Sequence, residues 1–253
     1  MSTVVIVVPC YNEESRLEPP QLLTLLNDPS VRLLFVDDGS KDGTRRLLDS
    51  LAEAHPTGVS VLALEHNSGK AEAVRRGLLA GLAAGASVVG YLDADLATPP
   101  NEMQRMLAEM RATDAKVVLG ARVRLLGRSV ERHATRHYLG RIFATVASWV
   151  LQLNVYDTQC GAKLLADGPA LRFALKVPFR SRWAFDVELI KRLLLAPADA
   201  LREEHFLEFP LMVWRDKAGS KLSSGAMVKA GLDLLRIALE QREDLQRRAE
   251  LEG

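Results

Sequence analysis

Val88-Val89-Gly90-Tyr91-Leu92-Asp93-Ala94-Asp95-Leu96-Ala97-Thr98-Pro99-Pro100 is the stretch that decides the fold. Its apolar first half contains β-branched residues and predicts a buried strand, which the two prolines end before a helix begins. Asp93 and Asp95 would point the same way if the extended geometry persists, because side chains alternate along a strand. Two carboxylates on the same side of a strand indicate a binding site for Mg²⁺ or Mn²⁺. The alternative is a polar turn in which Asp95 caps the next helix.

Predicted strands and helices alternate on both sides of this stretch. The strands lie at 4–8, 31–36, 59–64, 88–92 and 115–119, and the helices near 44–54, 71–84 and 101–110. Short connections between them predict a mostly parallel sheet with helices on both faces, an α/β fold. Such sheets bind ligands beyond the carboxyl ends of their strands. The polar residues at those ends should therefore converge on one crevice: Asn12, Glu13, Asp37, Asp38, Asn67, Lys70, Asp93 and Asp95.

Composition sets the broad class of the protein. The chain has 253 residues, is 48% hydrophobic and 26% charged, and carries a net charge of +1, as is typical of a globular protein with a large core. No basic excess points to nucleic acid. Cys10 and Cys160 fit a reducing compartment, no signal peptide is evident, and the longest uncharged stretch, 142–156, is too short for a membrane span. We expect a cytoplasmic protein with, at most, peripheral membrane contact.

No glycine-rich phosphate loop follows the first strand. Pro9-Cys10-Tyr11-Asn12-Glu13-Glu14 stands where a dinucleotide-binding fold has Gly-x-Gly-x-x-Gly and a P-loop enzyme has Gly-x-x-x-x-Gly-Lys-Ser/Thr. The residues at 9–14 therefore argue against a dinucleotide-binding fold and against a P-loop enzyme. A sugar-phosphate nucleotidyltransferase would also need a glycine-rich loop at this place, so it is the weaker alternative among enzymes.

The second half of the chain begins with a basic segment. Residues 122–141 hold six arginines against the single acid Glu131, and Arg128, Arg132 and Arg136 would share one face of a helix. The apolar stretch 142–153 follows, so the two together predict an amphipathic surface for an anionic amphiphile or a membrane face. The alternative is a solvated charged face beside an ordinary core helix.

Further elements complete this half. A loop and strand are predicted at 156–163, a helix from 182 to about 195, and a strand at 205–213. A glycine-containing polar loop at 214–221 is expected to move. A last helix from about 225 leads into a solvated, mixed-charge tail at 242–252.

Seven ordered motifs resemble those of inverting GT-A glycosyltransferases of family 2, over about residues 3–222. The later ones are most similar to dolichyl-phosphate glucosyltransferases and, less closely, to dolichyl-phosphate mannose synthases. The motifs are Val8-Pro9-Cys10-Tyr11-Asn12-Glu13-Glu14, Val36-Asp37-Asp38-Gly39-Ser40-Lys41-Asp42-Gly43-Thr44, Asn67-Ser68-Gly69-Lys70-Ala71-Glu72-Ala73, Asp93-Ala94-Asp95, Asp157-Thr158-Gln159-Cys160-Gly161-Ala162-Lys163, Trp183-Ala184-Phe185-Asp186-Val187-Glu188-Leu189 and Gly219-Ser220-Lys221.

The resemblance implies a single GT-A domain with a Rossmann-like sheet. Residues 1–120 would bind the nucleotide sugar, 121–225 would form the acceptor side, and 226–253 a C-terminal helix. Asp95, with Asp93, would bind Mg²⁺ or Mn²⁺ and act in catalysis. The implied donor-binding set is Pro9, Tyr11, Asn12, Glu13, Asp37, Gly39, Ser40, Asn67, Lys70, Asp93, Ala94, Asp95, Arg215, Ser220 and Lys221.

The acceptor decides whether a general base is needed. A hydroxyl must lose a proton, and Asp186 is the first candidate to take it, with Asp157 second. A phosphate is already anionic and needs cations instead. The acceptor-binding candidates are Arg122, Arg132, Arg136, Gln159 and Trp183.

The implied reaction is transfer of a hexose with inversion. The expected donor is UDP-glucose and the expected acceptor is a polyprenyl or dolichyl phosphate. GDP-mannose or a soluble hydroxyl acceptor is the alternative. A non-catalytic nucleotide-sugar-binding module is the alternative of another class.

Overall fold

The computed structural model describes residues 3–123, 126–127, 129–131, 134–215, 224–239 and 242–251. Its strands are β1 (Val4–Cys10), β2 (Val31–Asp37), β3 (Val59–Ala63), β4 (Val88–Leu92), β5 (Val117–Ala121), β6 (Ser129–Glu131), β7 (Ala162–Ala166), β8 (Phe206–Pro210) and β9 (Val213–Arg215). Its helices are α1 (Pro19–Leu23), α2 (Thr44–Ala54), α3 (Lys70–Ala83), α4 (Pro100–Ala112), α5 (Ala134–Leu151), α6 (Pro169–Leu175), α7 (Phe185–Leu195), α8 (Ser224–Leu239) and α9 (Arg242–Leu251).

Within the described ranges, seven strands form the central sheet in the order β3-β2-β1-β4-β7-β5-β8. The pairs β3-β2, β2-β1, β1-β4 and β5-β8 are parallel. Strand β7 is antiparallel to both β4 and β5. The carboxyl ends of β1, β2, β3 and β4 therefore meet along one edge, as the sequence predicts. Strands β6 and β9 pair separately and in parallel.

Helices cover both faces of this sheet because the inner strands are apolar on both sides. Val5 and Val7 of β1 pack into a core shared with α3, α5, α6, α7 and α8. Val4, Ile6 and Val8 point to the opposite face, into a core shared with α1, α2 and α4. The predicted α/β architecture with helices on both faces is confirmed.

Some boundaries and one neighbour relation differ from the predictions. Strand β5 lies two residues later than predicted and is separated from β4 by β7, which comes later in the chain. The single strand predicted at 205–213 is divided into β8 and β9, and the helix predicted from 182 begins at Phe185. The tail predicted to be solvated forms α9, which buries Leu245.

The arginine face predicted between 128 and 136 is wrong, because strand β6 occupies 129–131 and α5 begins only at Ala134. Arg128, Arg132 and the side chain of Arg136 lie outside the described part. Across the part that is described, no helix has both the length and the apolar character needed to cross a membrane.

Candidate functional site

The loops that follow β1 and β2 are hydrogen-bonded to each other. The Asn12 backbone N–H donates to the Ser40 hydroxyl over 3.0 Å, and the Lys41 N–H donates to the Asn12 side-chain oxygen over 2.8 Å. The Glu13 N–H donates to the Thr44 hydroxyl over 2.7 Å. Asn12 adopts a φ of 54°, a conformation that asparagine tolerates better than most residues. The first two loops thus form one continuous rim.

Asp37 and Asp38 have different roles at the end of β2, and both are buried. Asp37 accepts from the Ser40 N–H over 3.1 Å and so shapes its own loop. Asp38 accepts from the N–H groups of Ser68 and Gly69 over 2.7 and 2.8 Å, which fixes the loop after β3. Sequence reasoning selected Asp37 alone for the donor site, and the structure makes Asp38 the residue that joins the second and third loops.

Gly39 allows the second and third loops to approach closely. Its φ is +68°, and a Cβ there would lie 2.7 Å from the His66 carbonyl carbon. A side chain at this position would therefore push the third loop away. That loop carries the exposed Asn67 and leads into α3, whose first residue is Lys70.

Asp93 lies between two anchors. Its Oδ1 is 2.6 Å from the Lys70 ammonium, and its backbone N–H donates to the Gly161 carbonyl over 2.9 Å. Burial lowers the pKa of Lys70, but the negative charges of Asp93 and Asp186 outweigh that effect and the net pKa is raised. Lys70 is therefore cationic at neutral pH, and the prediction that it lies at the crevice agrees with its position.

Asp95 does not continue the strand. The Leu96 N–H donates to the Asp93 carbonyl over 3.2 Å, and the Ala97 N–H donates to Asp95 Oδ1 over 3.0 Å, so residues 93–97 form a turn. The expectation that extended geometry persists through Asp95 is therefore wrong. The turn also receives the Arg215 N–H, which donates to the Ala97 carbonyl over 3.0 Å. The Arg215 backbone is thereby placed next to the 93–97 turn, although Arg215 lies 120 residues after Asp95 in the chain.

Glu13 shares its surroundings with Asp95. Burial raises the pKa of Glu13, Arg16 opposes this rise, and the charges of Asp95 and Asp42 add to it. Its Oε1 pairs with Arg16 at 2.8 Å, while its Oε2 is buried without a hydrogen-bond partner in the structure. A buried carboxylate oxygen without a donor, near a second carboxylate, is an arrangement that a cation would stabilise.

Among the described residues, no group of three or more His, Cys, Asp or Glu side chains is arranged to hold an ion. A divalent ion at this edge of the sheet would therefore be bound by only one or two carboxylates. Mg²⁺ is often bound in this way, with waters and phosphate oxygens completing its coordination shell.

Asp186 is buried at the start of α7 in contact with two other buried side chains. Its Oδ1 accepts from the Tyr91 hydroxyl and, over 2.6 Å, from the Lys163 ammonium. Lys163 also donates to the Cys160 carbonyl over 2.7 Å. Burial and the charge of Asp186 raise the pKa of Tyr91 well above its usual value, so the phenol stays protonated. The first candidate for a base thus sits in a three-residue buried network.

Asp157 is held by Arg122. Its two oxygens accept from the Arg122 guanidinium over 2.6 and 2.8 Å, and also from the N–H groups of Arg122 and Gln159. Glu208 of β8 accepts from the N–H groups of Tyr156 and Asp157, each over 2.8 Å. Arg122 and Asp157 form an ion pair that secures the loop 156–161, and their roles in binding the acceptor and in acting as base stay predictions.

The remaining predicted residues are distributed as follows. Gln159 is half-buried in the loop 156–161, and Trp183 is exposed with its ring edge-on to Phe143 at 4.9 Å between centroids. Pro9 lies in β1, Tyr11 is partly exposed just after it, and Ala94 is buried in the 93–97 turn. Ser220, Lys221, Arg132 and the Arg136 side chain lie outside the described part.

Sequence reasoning missed Gly161, Lys163 and Glu208 as parts of this arrangement. Each acts through a contact between distant segments, for example Glu208 with residues 156 and 157. Lys163 carried a signal, because a lysine inside the apolar segment Ala162–Ala166 needs a buried anionic partner.

The chain is similar to known proteins over most of its length. The model of glycosyl transferase family 2 matches residues 5–168. A dolichyl-phosphate beta-glucosyltransferase of Trichomonas vaginalis is 30% identical, over 94% of this chain and 72% of that protein. A dolichyl-phosphate beta-glucosyltransferase of Dictyostelium discoideum is 32% identical, over 73% of this chain and 60% of that protein.

Solved structures share the fold. The glucosyl-3-phosphoglycerate synthase of Mycobacterium tuberculosis, in complex with Mn²⁺, UDP and glucosyl-3-phosphoglycerate, superposes with a TM-score of 0.67 at 21% identity. The superposition covers 94% of this chain and 80% of that one. With the family model matching more than half of the sequence, the chain belongs to glycosyl transferase family 2 and is a glycosyltransferase with the GT-A fold.

Proposed function

We propose that this protein transfers glucose from UDP-glucose to a polyprenyl or dolichyl phosphate, with inversion at the anomeric carbon. The observation that carries the proposal is the arrangement of Lys70, Asp93 and Asp95 at one edge of the sheet, with Glu13 beside them. The names of the similar glucosyltransferases supply the sugar and the lipid phosphate. The UDP in the solved complex supports the nucleotide.

The carboxylates at this edge fit a divalent ion. Asp95 Oδ1 accepts from the Ala97 N–H, so the other oxygen of Asp95 would bind the ion, and Glu13, whose pKa the charge of Asp95 raises, lies nearby. Mg²⁺ or Mn²⁺ bound there would supply positive charge to the diphosphate as it leaves. Lys70 adds a fixed ammonium, and Arg215 adds a guanidinium next to the 93–97 turn. These cations favour departure of the nucleoside diphosphate.

The two candidate bases favour an acceptor that needs no base. Asp186 Oδ1 already accepts from the buried Lys163 ammonium, over 2.6 Å, and from the Tyr91 hydroxyl. Asp157 is occupied by Arg122 and two backbone donors. A phosphate acceptor is already anionic near neutral pH and can attack without giving up a proton. A neutral hydroxyl acceptor has no such advantage.

A lipid acceptor also agrees with the exposed apolar side chains of this chain. Val146 and Trp149 of α5 and Leu232, Leu235 and Leu239 of α8 are exposed, and α5 packs against α8. We define these five residues as the apolar surface. Such a surface suits peripheral contact with a membrane that holds the acceptor. The amphipathic surface predicted from the sequence for 122–153 stays a prediction, and Val146 and Trp149 are its members in the apolar surface.

Donor and metal are tested by thermal unfolding. We expect UDP-glucose with Mn²⁺ to raise the melting temperature more than GDP-mannose or UDP-GlcNAc, because a ligand that binds only the folded state stabilises it. Omission of Mn²⁺ should remove most of the shift. A shift that is equal without metal contradicts the metal assignment, and a larger shift with GDP-mannose contradicts the donor.

The acceptor is tested by product analysis with radiolabelled UDP-glucose. A polyprenyl phosphate should yield a labelled lipid, while 3-phosphoglycerate and the free polyprenol should not. Transfer to 3-phosphoglycerate instead would replace the lipid acceptor by a soluble one. Transfer to the free polyprenol would show that a hydroxyl serves and that a base must be present.

Asp95→Ala tests the metal ligand directly. We expect turnover to fall by a factor of about 100 or more, since removal of one group that stabilises leaving-group charge has effects of this size. The melting temperature without ligands should stay close to that of the wild type, while the Mn²⁺-dependent shift should disappear. Near-normal turnover would show that Asp95 does not bind the ion.

A further inference from the structure

Arg182 lies at the mouth of the candidate site and was not among the residues predicted to bind a substrate. It precedes α7, and its guanidinium donates to the Ser68 carbonyl over 3.3 Å. A Cβ on Gly69 would lie 3.5 Å from Arg182 Nε, so the guanidinium runs across the third loop. Lys70, the next residue of that loop, contacts Asp93. Arg182 is therefore close to the place where the sugar must react.

The charge of Arg182 is not neutralised by the described part of the chain. Its one hydrogen bond there is to a carbonyl, and no carboxylate of that part contacts it. Arg122, by contrast, is paired with Asp157 through two hydrogen bonds of its guanidinium, and its side chain is only 16% exposed. Of these two arginines, Arg182 is the one whose guanidinium is available to an incoming anion.

The backbone that carries Arg182 is held rigidly. The N–H groups of Arg180 and Ser181 donate to the buried Glu188 over 3.0 Å. The Ser181 hydroxyl donates to Asp233 of α8 over 2.7 Å and accepts from the Ala184 N–H over 2.8 Å. These bonds fix the position of Arg182 before any substrate arrives, which reduces the entropy lost on binding.

An aromatic residue follows the cation in the chain. Trp183 is 41% exposed and meets the ring of Phe143 of α5 edge-on. One short segment, 182–183, thus carries a planar cation and an exposed aromatic ring. That pair matches the chemistry of a phosphate ester joined to an apolar chain.

We infer that Arg182 binds the phosphate of the acceptor, with Trp183 contacting the first part of its apolar chain. The inference rests on the proposed function, because it takes the acceptor to be a lipid phosphomonoester. It adds that Arg182, which lies between the third loop and α5, selects the anionic head group of the acceptor. The guanidinium would donate to two phosphate oxygens in a planar, bidentate contact, which a lysine cannot reproduce.

Binding of farnesyl phosphate, a soluble phosphomonoester, tests the inference without any requirement for transfer. Affinities are measured by calorimetry on the full chain with UDP and Mn²⁺ present, and farnesol serves as the uncharged probe. We expect Arg182→Gln to bind farnesyl phosphate roughly 10- to 100-fold more weakly, the range for loss of a hydrogen bond to a charged group. Farnesol binding and UDP affinity should change less than about twofold in the same variant.

Arg32→Gln is the matched control. Arg32 is also exposed, and within the described part it donates to the carbonyls of Pro29 and Val31, but it is the second residue of β2, at the end of that strand away from the candidate site. Its substitution should leave every affinity unchanged. Arg182→Lys should lie between the wild type and Arg182→Gln, and it provides a second variant if the first is poorly folded.

Several results would overturn the inference. The inference is wrong if the wild type does not bind farnesyl phosphate, or if Arg182→Gln binds it as tightly as the wild type does. It is also wrong if Arg182→Gln weakens farnesol binding as much as farnesyl phosphate binding, or if Arg32→Gln weakens farnesyl phosphate binding as much as Arg182→Gln does. A wild type that binds farnesyl phosphate through Arg182 but transfers no sugar to any polyprenyl phosphate would instead contradict the proposed function and leave the anion site in place.

Discussion

The carboxylate of Asp93 occupies a space that any side chain at position 161 would fill. A Cβ on Gly161 would lie 2.0 Å from Asp93 Oδ2, far inside van der Waals contact. Because the Asp93 N–H also donates to the Gly161 carbonyl, the two backbones cannot move apart freely. Gly161 therefore positions Asp93 toward Lys70.

Gly161→Ala should displace the Asp93 carboxylate. We expect glucosyl transfer to fall at least about tenfold, with a loss of about 1–3 kcal/mol of unfolding free energy from overpacking. Gly168→Ala is the control, because no atom lies within 4 Å of a Cβ there. Turnover and urea unfolding of both variants test this. Unchanged turnover in Gly161→Ala would show that the position of Asp93 is not critical.

Glu13 should make stability depend on pH. Its pKa is raised in the folded protein, chiefly by burial, so the folded state binds the proton more tightly than the unfolded state. Stability from this group is present at low pH and is lost as pH rises from the ordinary carboxyl pKa of 4.5 through the raised value. Glu13→Gln lacks this titration.

Urea unfolding of the metal-free protein across this pH window measures the effect. The unfolding free energy of the wild type, relative to Glu13→Gln, should fall as the pH increases. A difference that rises with pH would mean that the Glu13 carboxylate is stabilised in the fold.

For single residues, the sequence predicted which side chains lie at the candidate site better than it predicted the contacts that those side chains make. Asp93 and Asp95 were identified by their spacing, and both lie at the predicted edge. The condition for their common direction, that the extended geometry persists, is not met, because residues 93–97 form a turn that is bonded to Gly161 and Arg215, far along the chain. Local periodicity contains no information about such partners.

Among the elements, β7 accounts for most of what the sequence did not predict. The alternation of strands and helices through residue 121 follows from local patterns, and β1 to β4 are where those patterns place them. Strand β7 inserts antiparallel between β4 and β5, a pairing decided by contacts such as Gly90 with Leu164. The insertion brings Lys163 beneath Asp186 and explains a buried lysine that the local pattern alone does not.

The Lys163–Asp186 pair joins β7 to α7 and is tested by a double-mutant cycle. Lys163→Met should cost about 3–5 kcal/mol, because it leaves the Asp186 charge buried and unpaired. Asp186→Asn should be similarly destabilising. The double variant should lose clearly less than the sum, since no uncompensated charge remains.

The exposed pair Arg172–Asp167 is the control for this cycle. Its arginine is 55% exposed, and such pairs couple by about 1 kcal/mol or less. Urea unfolding of Arg172→Met, Asp167→Asn and their combination gives that reference. Additive losses in the Lys163–Asp186 cycle would mean that the two side chains are solvated in solution.

For the whole molecule, the apolar surface on α5 and α8 is joined to the candidate site. Phe143 of α5 contacts Trp183, and Asp233 of α8 binds Ser181, so both helices meet the segment that carries Arg182. A lipid acceptor held at a membrane would then reach the crevice without leaving the surface. The sequence predicted the amphipathic character of this half, but not that α8 completes the surface.

Flotation with anionic phospholipid vesicles tests this arrangement. The protein should float with the vesicles, because exposed leucines and a tryptophan that is 73% exposed would be buried at the interface. Gln at positions 232, 235 and 239 together should lower the partition coefficient at least about tenfold, since even ~1.4 kcal/mol of lost burial gives that factor.

The control combines Leu126→Gln with Met212→Gln, which changes exposed apolar side chains outside α5 and α8. Turnover with a soluble short-chain phosphate should stay unchanged in both variants, so that only delivery from the membrane is affected. Equal flotation of the two variants would show that these helices do not face the lipid.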